Sequence, residues 1–76
     1  MELHGIGWAV KQMQDGGRVR RRGWNGKGMW LAIDKFSKMT VPYVFMLTAQ
    51  GALVPWLCSQ IDLLATDWEV TDRAES

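Results

Sequence analysis

Seventy-six residues suffice for a single domain, and a chain this short buries only roughly 60% of its unfolded surface. One cysteine excludes an internal disulfide, and one histidine with that cysteine excludes a conventional N/S metal site. A net charge of +1 gives no polyanion-binding signature.

Self-association is the remaining source of stability. Five tryptophans and five methionines are more apolar bulk than one small core hides, so a homo-oligomer is expected. No apolar run approaches the ~20 residues of a membrane span, and "MELHGIGWAV" lacks the layout of a signal peptide. A soluble, cytoplasmic protein without membrane contact or cofactor is expected.

In "HGIGWAVKQMQDGG", Ile6, Ala9, Val10 and Met13 fall at i, i+3, i+4 and i+7, which predicts a helix stopped by Gly16 and Gly17. Trp8 lies roughly 200° round the wheel from Ile6, on the polar face with His4, Lys11 and Asp15. His4 reads as an exposed helix-start residue. "RVRRR" (18–22) suggests a short strand around Val19. "MWLAIDK" (29–35) alternates cleanly as a second one, and Asn25-Gly26 between them is the dipeptide of tight hairpins.

After the connector 36–42, "YVFMLTA" (43–49) reads as a third strand buried on both faces. "ALVPW" (52–56) reads as a fourth, with Pro55 at its end or on a sheet edge. Ser59 is placed to cap a short helix through "QIDLLA", with Asp62 three residues on as in a capping box. "DWEVT" (67–71) gives a last strand with Trp68 in the core, and the chain frays beyond it, over 71–76. The expected fold is α+β, one domain over 1–76. Its N-terminal helix packs on a small, mostly antiparallel sheet, with a short second helix near the C-terminus.

Four of the five arginines precede "GWNGKG", and the last fifteen residues carry Asp62, Asp67, Glu69, Asp72 and Glu75. The glycine-rich stretch is not a Walker loop, because Gly28 follows Lys27 where Ser or Thr is required and a strand comes next. Arginines beside indoles suit a nucleotide, with charge for phosphate and a π-face for the base. The small net charge and acidic tail favour a small nucleotide over long nucleic acid. Trp56, after Pro55, is a candidate pocket wall.

Catalysis finds little support. Ser59 has no evident base, Asp62 and Asp67 read as solvent-facing carboxylates, and Cys58 reads as a small buried apolar residue. Neither a catalytic set nor a metal set emerges.

"GRVRRRGWNGKGMWLAI" followed by "VPWLCSQIDLLATDWEV" resembles a family of small phage and prophage proteins, the Thoeris anti-defence sponges of the second type. The likeness covers the first helix, the R-x-G-W-N-G-K-G hairpin and the C-terminal P-W-x-x-S-Q-x-D-x-L-A-x-D-W. It implies a non-catalytic homo-oligomer, a tetramer, that binds cyclised ADP-ribose signals of TIR-domain enzymes in pockets between subunits. Bacterial Thoeris defence would thereby be blocked in the host-cell cytoplasm. The family often carries a longer excursion between its second and third strands, and the arginine run here is denser than its usual single arginine.

Under that resemblance the ligand residues are Trp24 or Trp30 against adenine, Arg20 or Arg22 on phosphate, and Asn25 and Gly26 as donors. Ser59, Gln60 and Asp62 would meet ribose or base edges, with Trp56 as a wall. Trp24 and Asn25 fall on motif positions, whereas the arginine role rests on chemistry alone. Two alternatives stay open: a small nucleic-acid-binding module, and a structural or regulatory phage protein that presents Trp8 to a partner.

Overall fold

The computed structural model describes residues 3–24, 28–34 and 41–71. The first helix, α1, is Ile6–Gln14, and its apolar stripe turns inward with Ala9 and Met13 fully buried. It ends where Gly16 takes φ +95°, a left-handed conformation that glycine adopts without a Cβ penalty.

Five strands follow: β1 Val19–Arg21, β2 Trp30–Asp34, β3 Tyr43–Leu47, β4 Leu53–Pro55 and β5 Trp68–Val70. They form one sheet in the order β4-β3-β2-β1-β5, and every neighbouring pair is antiparallel. The chain runs along meandering neighbours to β4, then crosses back through a second helix, α2 (Gln60–Leu63), and adds β5 beside β1. Pro55 sits on the edge strand, where its missing N–H leaves no ladder bond unmade. The expected α+β architecture is the one observed.

The register explains the core. Val70, Val19, Leu31, Met46 and Val54 stand opposite one another across all five strands, so one apolar row spans one face of the sheet. α1 lies over its centre, and Ala9, Met13, Val19, Leu31 and Trp68 form the buried cluster. Each large side chain there contributes roughly 1.5–3 kcal/mol relative to exposure. Alternation sends Tyr43, Phe45, Leu47 and Leu53 to the other face, which no described helix covers. β3 is therefore half-buried along its whole length, not buried on both faces as its composition suggested.

Several local expectations change. His4 is no exposed helix start: its backbone brackets β5, with its N–H bonded to Thr66 O and its O accepting from Trp68 N–H at 3.2 Å. Its ring stacks on Trp8 at 3.8 Å between centroids and 13° between planes. That stacking gives one face of Trp8 a partner within the chain. Cys58 is exposed, not buried.

Thr71, assigned to the fraying tail, is buried and donates its N–H to Arg18 O at 2.9 Å, while 72–76 lie outside the described residues. The Asn25-Gly26 turn and connector residues 36–40 also lie outside them. Arg22 and Gly23 do not extend the β1–β2 ladder. The chain turns instead, with the Trp24 N–H on Arg21 O at 3.2 Å.

Candidate functional site

Arg21 shares a strand face with Val19, two residues away, so its side chain enters the helix-bearing side of the sheet. A guanidinium there needs carboxylates, and two reach it. Nε donates to Asp67 Oδ1 at 2.7 Å, and Nη1 donates to Asp62 Oδ1 at 2.8 Å. The side chains are only 17%, 27% and 15% exposed for Arg21, Asp67 and Asp62, so this charge is spent internally. Asp62 and Asp67 are thus the two ends of one clamp, contrary to the expectation that they face solvent.

The clamp also orders the turn. Gly23 N–H donates to Asp67 Oδ2 at 2.8 Å, and a Cβ on Gly23 would meet that same oxygen at 2.9 Å. A side chain at Gly23 would have to push the Asp67 carboxylate aside. Trp24 Nε1 donates to Asp62 Oδ1 at 3.3 Å, which fixes the indole edge. Trp24 and Trp56 each stand edge-on to Trp68, at 5.5 Å and 80° and at 6.0 Å and 86°. Such T-shaped pairs are each worth about 0.5–1.5 kcal/mol beyond area burial.

α2 hangs on the same group of residues. Ser59 Oγ accepts from Asp62 N–H at 3.1 Å, as the expected N-cap, and Trp68 Nε1 donates to Asp62 O at 3.2 Å. The reciprocal half of a capping box is not made by the Asp62 carboxylate, because Arg21 and Trp24 hold it. Ser59 Oγ acts here as a cap rather than a nucleophile. Gln60 opens α2, exposed.

The other ligand candidates lie on the opposite face. Arg20 Nε donates to Glu69 Oε2 at 2.8 Å, and Arg22 Nε donates to Glu69 Oε1 at 3.4 Å, so both arginines share one carboxylate. Trp30 is buried beneath the Arg18 guanidinium, 4.5 Å from its ring centroid, with Phe45 edge-on at 5.8 Å. One group therefore gathers Trp24, Trp56, Ser59, Gln60 and Asp62. A second gathers Arg20, Arg22 and Trp30 across the sheet. Asn25 and Gly26 fall outside the described residues. A groove of about 120 Å³ lined by Asp34, Tyr43, Phe45, Leu53, Val54 and Pro55 lies at the far end of the second face and holds none of the candidates.

No cluster of His, Cys, Asp and Glu suited to a metal occurs among the described residues. No described helix is long and apolar enough to cross a membrane.

Residues 4–71 match the Tad2-like family, described as the Thoeris anti-defense 2-like domain. The chain belongs to that family. It is also similar to Thoeris anti-defense 2 of Bacillus phage SP01, at 29% identity over 81 aligned residues covering 86% of this chain and 91% of that protein. The match runs from His4 to Thr71, the two ends of the packed unit. In this chain the two stretches that carry the resemblance touch each other. Arg21, Gly23 and Trp24 come from the first, and Ser59, Asp62, Asp67 and Trp68 from the second.

Sequence reasoning passed over Arg21, Gly23 and Asp67 as members of this site. The signal for Arg21 was its parity with Val19, which places a charge on the core side. For Gly23 and Asp67 no local signal exists, because their contact joins residues 44 positions apart.

The network has a pH consequence. The Arg21 guanidinium, helped by Gly23 N–H, holds the Asp67 carboxyl below its ordinary value of 3.8, and burial only partly opposes this. A depressed folded-state pKa contributes stability that is complete above the ordinary value and lost as pH falls through the folded one. Thermal melts should therefore be level with respect to this group from pH 7 to about 5 and fall below about pH 4. Asp67→Asn should lack that component and start less stable at pH 7. An unchanged acid transition in Asp67→Asn would refute the assignment.

Proposed function

We propose that this chain binds and sequesters a small cyclic nucleotide of the cyclised ADP-ribose type without catalysis, and so blocks Thoeris defence in the host-cell cytoplasm. The observation that carries the reading is the tryptophan group. Trp24 and Trp56 stand nearly perpendicular to the buried Trp68 and are themselves only partly buried, which leaves indole surface for stacking, and Ser59 and Gln60 stand exposed nearby in the chain for ribose hydroxyls or base edges. Asp62 orients Trp24 and retains Oδ2 as an acceptor.

Asn25 and Gly26 follow Trp24 directly and supply donors. Arg20 and Arg22 stand on the opposite face and share Glu69, so a phosphate that met them would have to compete with that carboxylate. Trp30 lies beneath Arg18 on the opposite face and serves packing there. Family membership supports the anti-defence role, and the name of the Bacillus phage SP01 relative agrees with it.

Charge accounting favours a small ligand over a polyanion. Arg21 is consumed by two aspartates, and Arg20 and Arg22 share Glu69, so the basic stretch offers far less free charge than its sequence suggests. Ser59 and Gln60 are too open within one chain to enclose a ligand, and burying most of a nucleotide calls for a second copy. The working unit is a homo-oligomer, a tetramer by the family resemblance.

Stoichiometric capture requires a Kd near 1 nM, about −12 kcal/mol. Titration calorimetry of the purified protein with cyclised ADP-ribose isomers should give saturable binding by at least one isomer. Trp24→Ala should weaken it roughly 5–150-fold, the worth of one stacked base. Heatless titrations of every isomer at micromolar protein would sink the proposal.

A further inference from the structure

The four arginines of residues 18–22 do not share one fate. Arg21 is held by two aspartates on the helix-bearing side, and Arg20 and Arg22 meet Glu69 on the other. Arg18 differs from all three. No carboxylate among the described residues pairs with it, and its guanidinium lies over the Trp30 ring, 4.5 Å from the centroid.

The indole beneath Arg18 is unusual as well. Trp30 is 8% exposed, and its Nε1 is a buried donor with no acceptor among the described residues. A cation–π contact satisfies the face of an indole and leaves its N–H untouched. A buried N–H without a partner forfeits its hydration outright, so tryptophan N–H groups in native interiors almost always find an acceptor. Packing between Arg18 and Phe45, whose ring stands edge-on at 5.8 Å, would be served by an aromatic without a nitrogen.

Register brings a second cation to the same patch. Val19 stands opposite Leu31, so antiparallel pairing sets Arg20 opposite Trp30, on the face where Arg18 lies. Arg20 gives Nε to Glu69 Oε2 at 2.8 Å, which leaves its two Nη groups as donors. Two guanidinium groups and one indole N–H thus stand side by side, and all of them donate.

We propose that Arg18, Arg20 and the Trp30 indole N–H form a binding site for a phosphate-type oxyanion, on the sheet face opposite the tryptophan group. A tetrahedral oxyanion accepts from several directions at once, pairs bidentately with a guanidinium fork and carries the negative charge that Arg18 lacks. Arg18 is the movable cover of the indole: as its guanidinium slides along the ring toward the ion, Nε1 gains the acceptor it is missing. The patch takes one such group rather than a row of them, because Arg21 is turned to the other face and Glu69 engages Arg20 and Arg22. This site neither includes nor depends on the nucleotide site proposed above, since Asp62 holds Trp24 on the helix-bearing side.

The test follows the indole N–H resonances of the ¹⁵N-labelled chain during titration with inorganic phosphate, against chloride at matched ionic strength. One indole signal, absent from Trp30→Phe, should shift saturably at millimolar phosphate and stay put in chloride. Arg18→Gln should weaken phosphate at least about tenfold, the worth of one charge-assisted hydrogen bond, and Arg20→Gln severalfold. Arg18 makes no ion pair among the described residues, so its replacement spares the fold. Trp30→Phe keeps a ring under Arg18 without the donor; followed at the Arg18 Nε–H signal, it should bind about three- to tenfold more weakly. Lys11→Gln, which removes an exposed cation on α1, should bind as the wild type does.

Methyl phosphate distinguishes the two sources of the group. Binding equal to that of inorganic phosphate assigns the site to a phosphoryl group on a larger molecule, and much weaker binding assigns it to the free ion. The proposal is overturned by the lack of a saturable Trp30 shift, by an equal shift in chloride, or by equal losses in Lys11→Gln and Arg18→Gln. Arg18-dependent retardation of a random oligonucleotide also overturns it, because the partner would then be a polyanion.

Discussion

Arg21→Ala should destabilise the fold by about 3 kcal/mol, the cost of removing one partner from a buried ion-pair network. A 76-residue domain holds roughly 4–11 kcal/mol in total, so this is a large share. The truncation leaves Asp62 and Asp67 mostly buried with no cation between them, and it frees the turn that carries Trp24. Arg21→Lys keeps the charge but not the geometry. One ammonium cannot reproduce a fork whose Nε holds one carboxylate and whose Nη1 holds the other, so it should recover only part of the loss. Urea titration followed by tryptophan fluorescence measures both. An Arg21→Ala variant within about 0.5 kcal/mol of wild type would place the network among surface ion pairs of no consequence.

Most of the fold was legible because its signals are local. The helical stripe of α1, the alternation of β2, the proline on the edge strand and the serine cap of α2 each depend on residues a few positions apart. The burial of Trp68 followed from alternation with Asp67 and Glu69 in the same way. What escaped was set by pairings across the chain. The place of β5 beside β1 turns Glu69 into the partner of Arg20 and Arg22, and Asp67 into the partner of Arg21. A run of arginines thus becomes a set of internal ion pairs, and no inspection of residues 18–22 alone could show that.

The candidate site was legible in part for a related reason. Trp24, Trp56 and Asp62 were singled out and touch Trp68, while Ser59 caps α2 and Gln60 is exposed at its start. Arg20, Arg22 and Trp30 were singled out on the same chemistry, but strand parity sends Arg20 and Trp30 to the other face, where Arg22 joins them on Glu69. Composition identifies residue types that suit a nucleotide; it does not say on which side of a sheet they stand. Cys58 and His4 were misread because each is controlled by a neighbour distant in sequence or by the absence of one. His4 is drawn in by β5, and Cys58 sits, exposed, on a segment whose Leu57 is exposed as well.

Trp68→Ala should have the largest effect of any single substitution, about 3–5 kcal/mol, the range for truncating a buried large aromatic. Trp68 is 1% exposed and supports three things at once. Trp24 and Trp56 lean on its ring, and its Nε1 holds the Asp62 carbonyl that fixes α2 to the sheet. Trp68→Phe should retain a ring for both neighbours yet orphan that carbonyl, for about 1–2 kcal/mol. Its effect on ligand binding should exceed its effect on the sheet, since α2 and not β5 loses its tether. Trp24→Ala differs in kind: it removes one ring contact and one hydrogen bond to Asp62 from the fold, about 1–3 kcal/mol together, but the proposed stacking face from the site. Comparing urea midpoints with calorimetric affinities across the three variants therefore separates the floor of the site from its wall. If Trp68→Phe bound ligand as the wild type does while Trp24→Ala unfolded, the roles assigned to the two indoles would have to be exchanged.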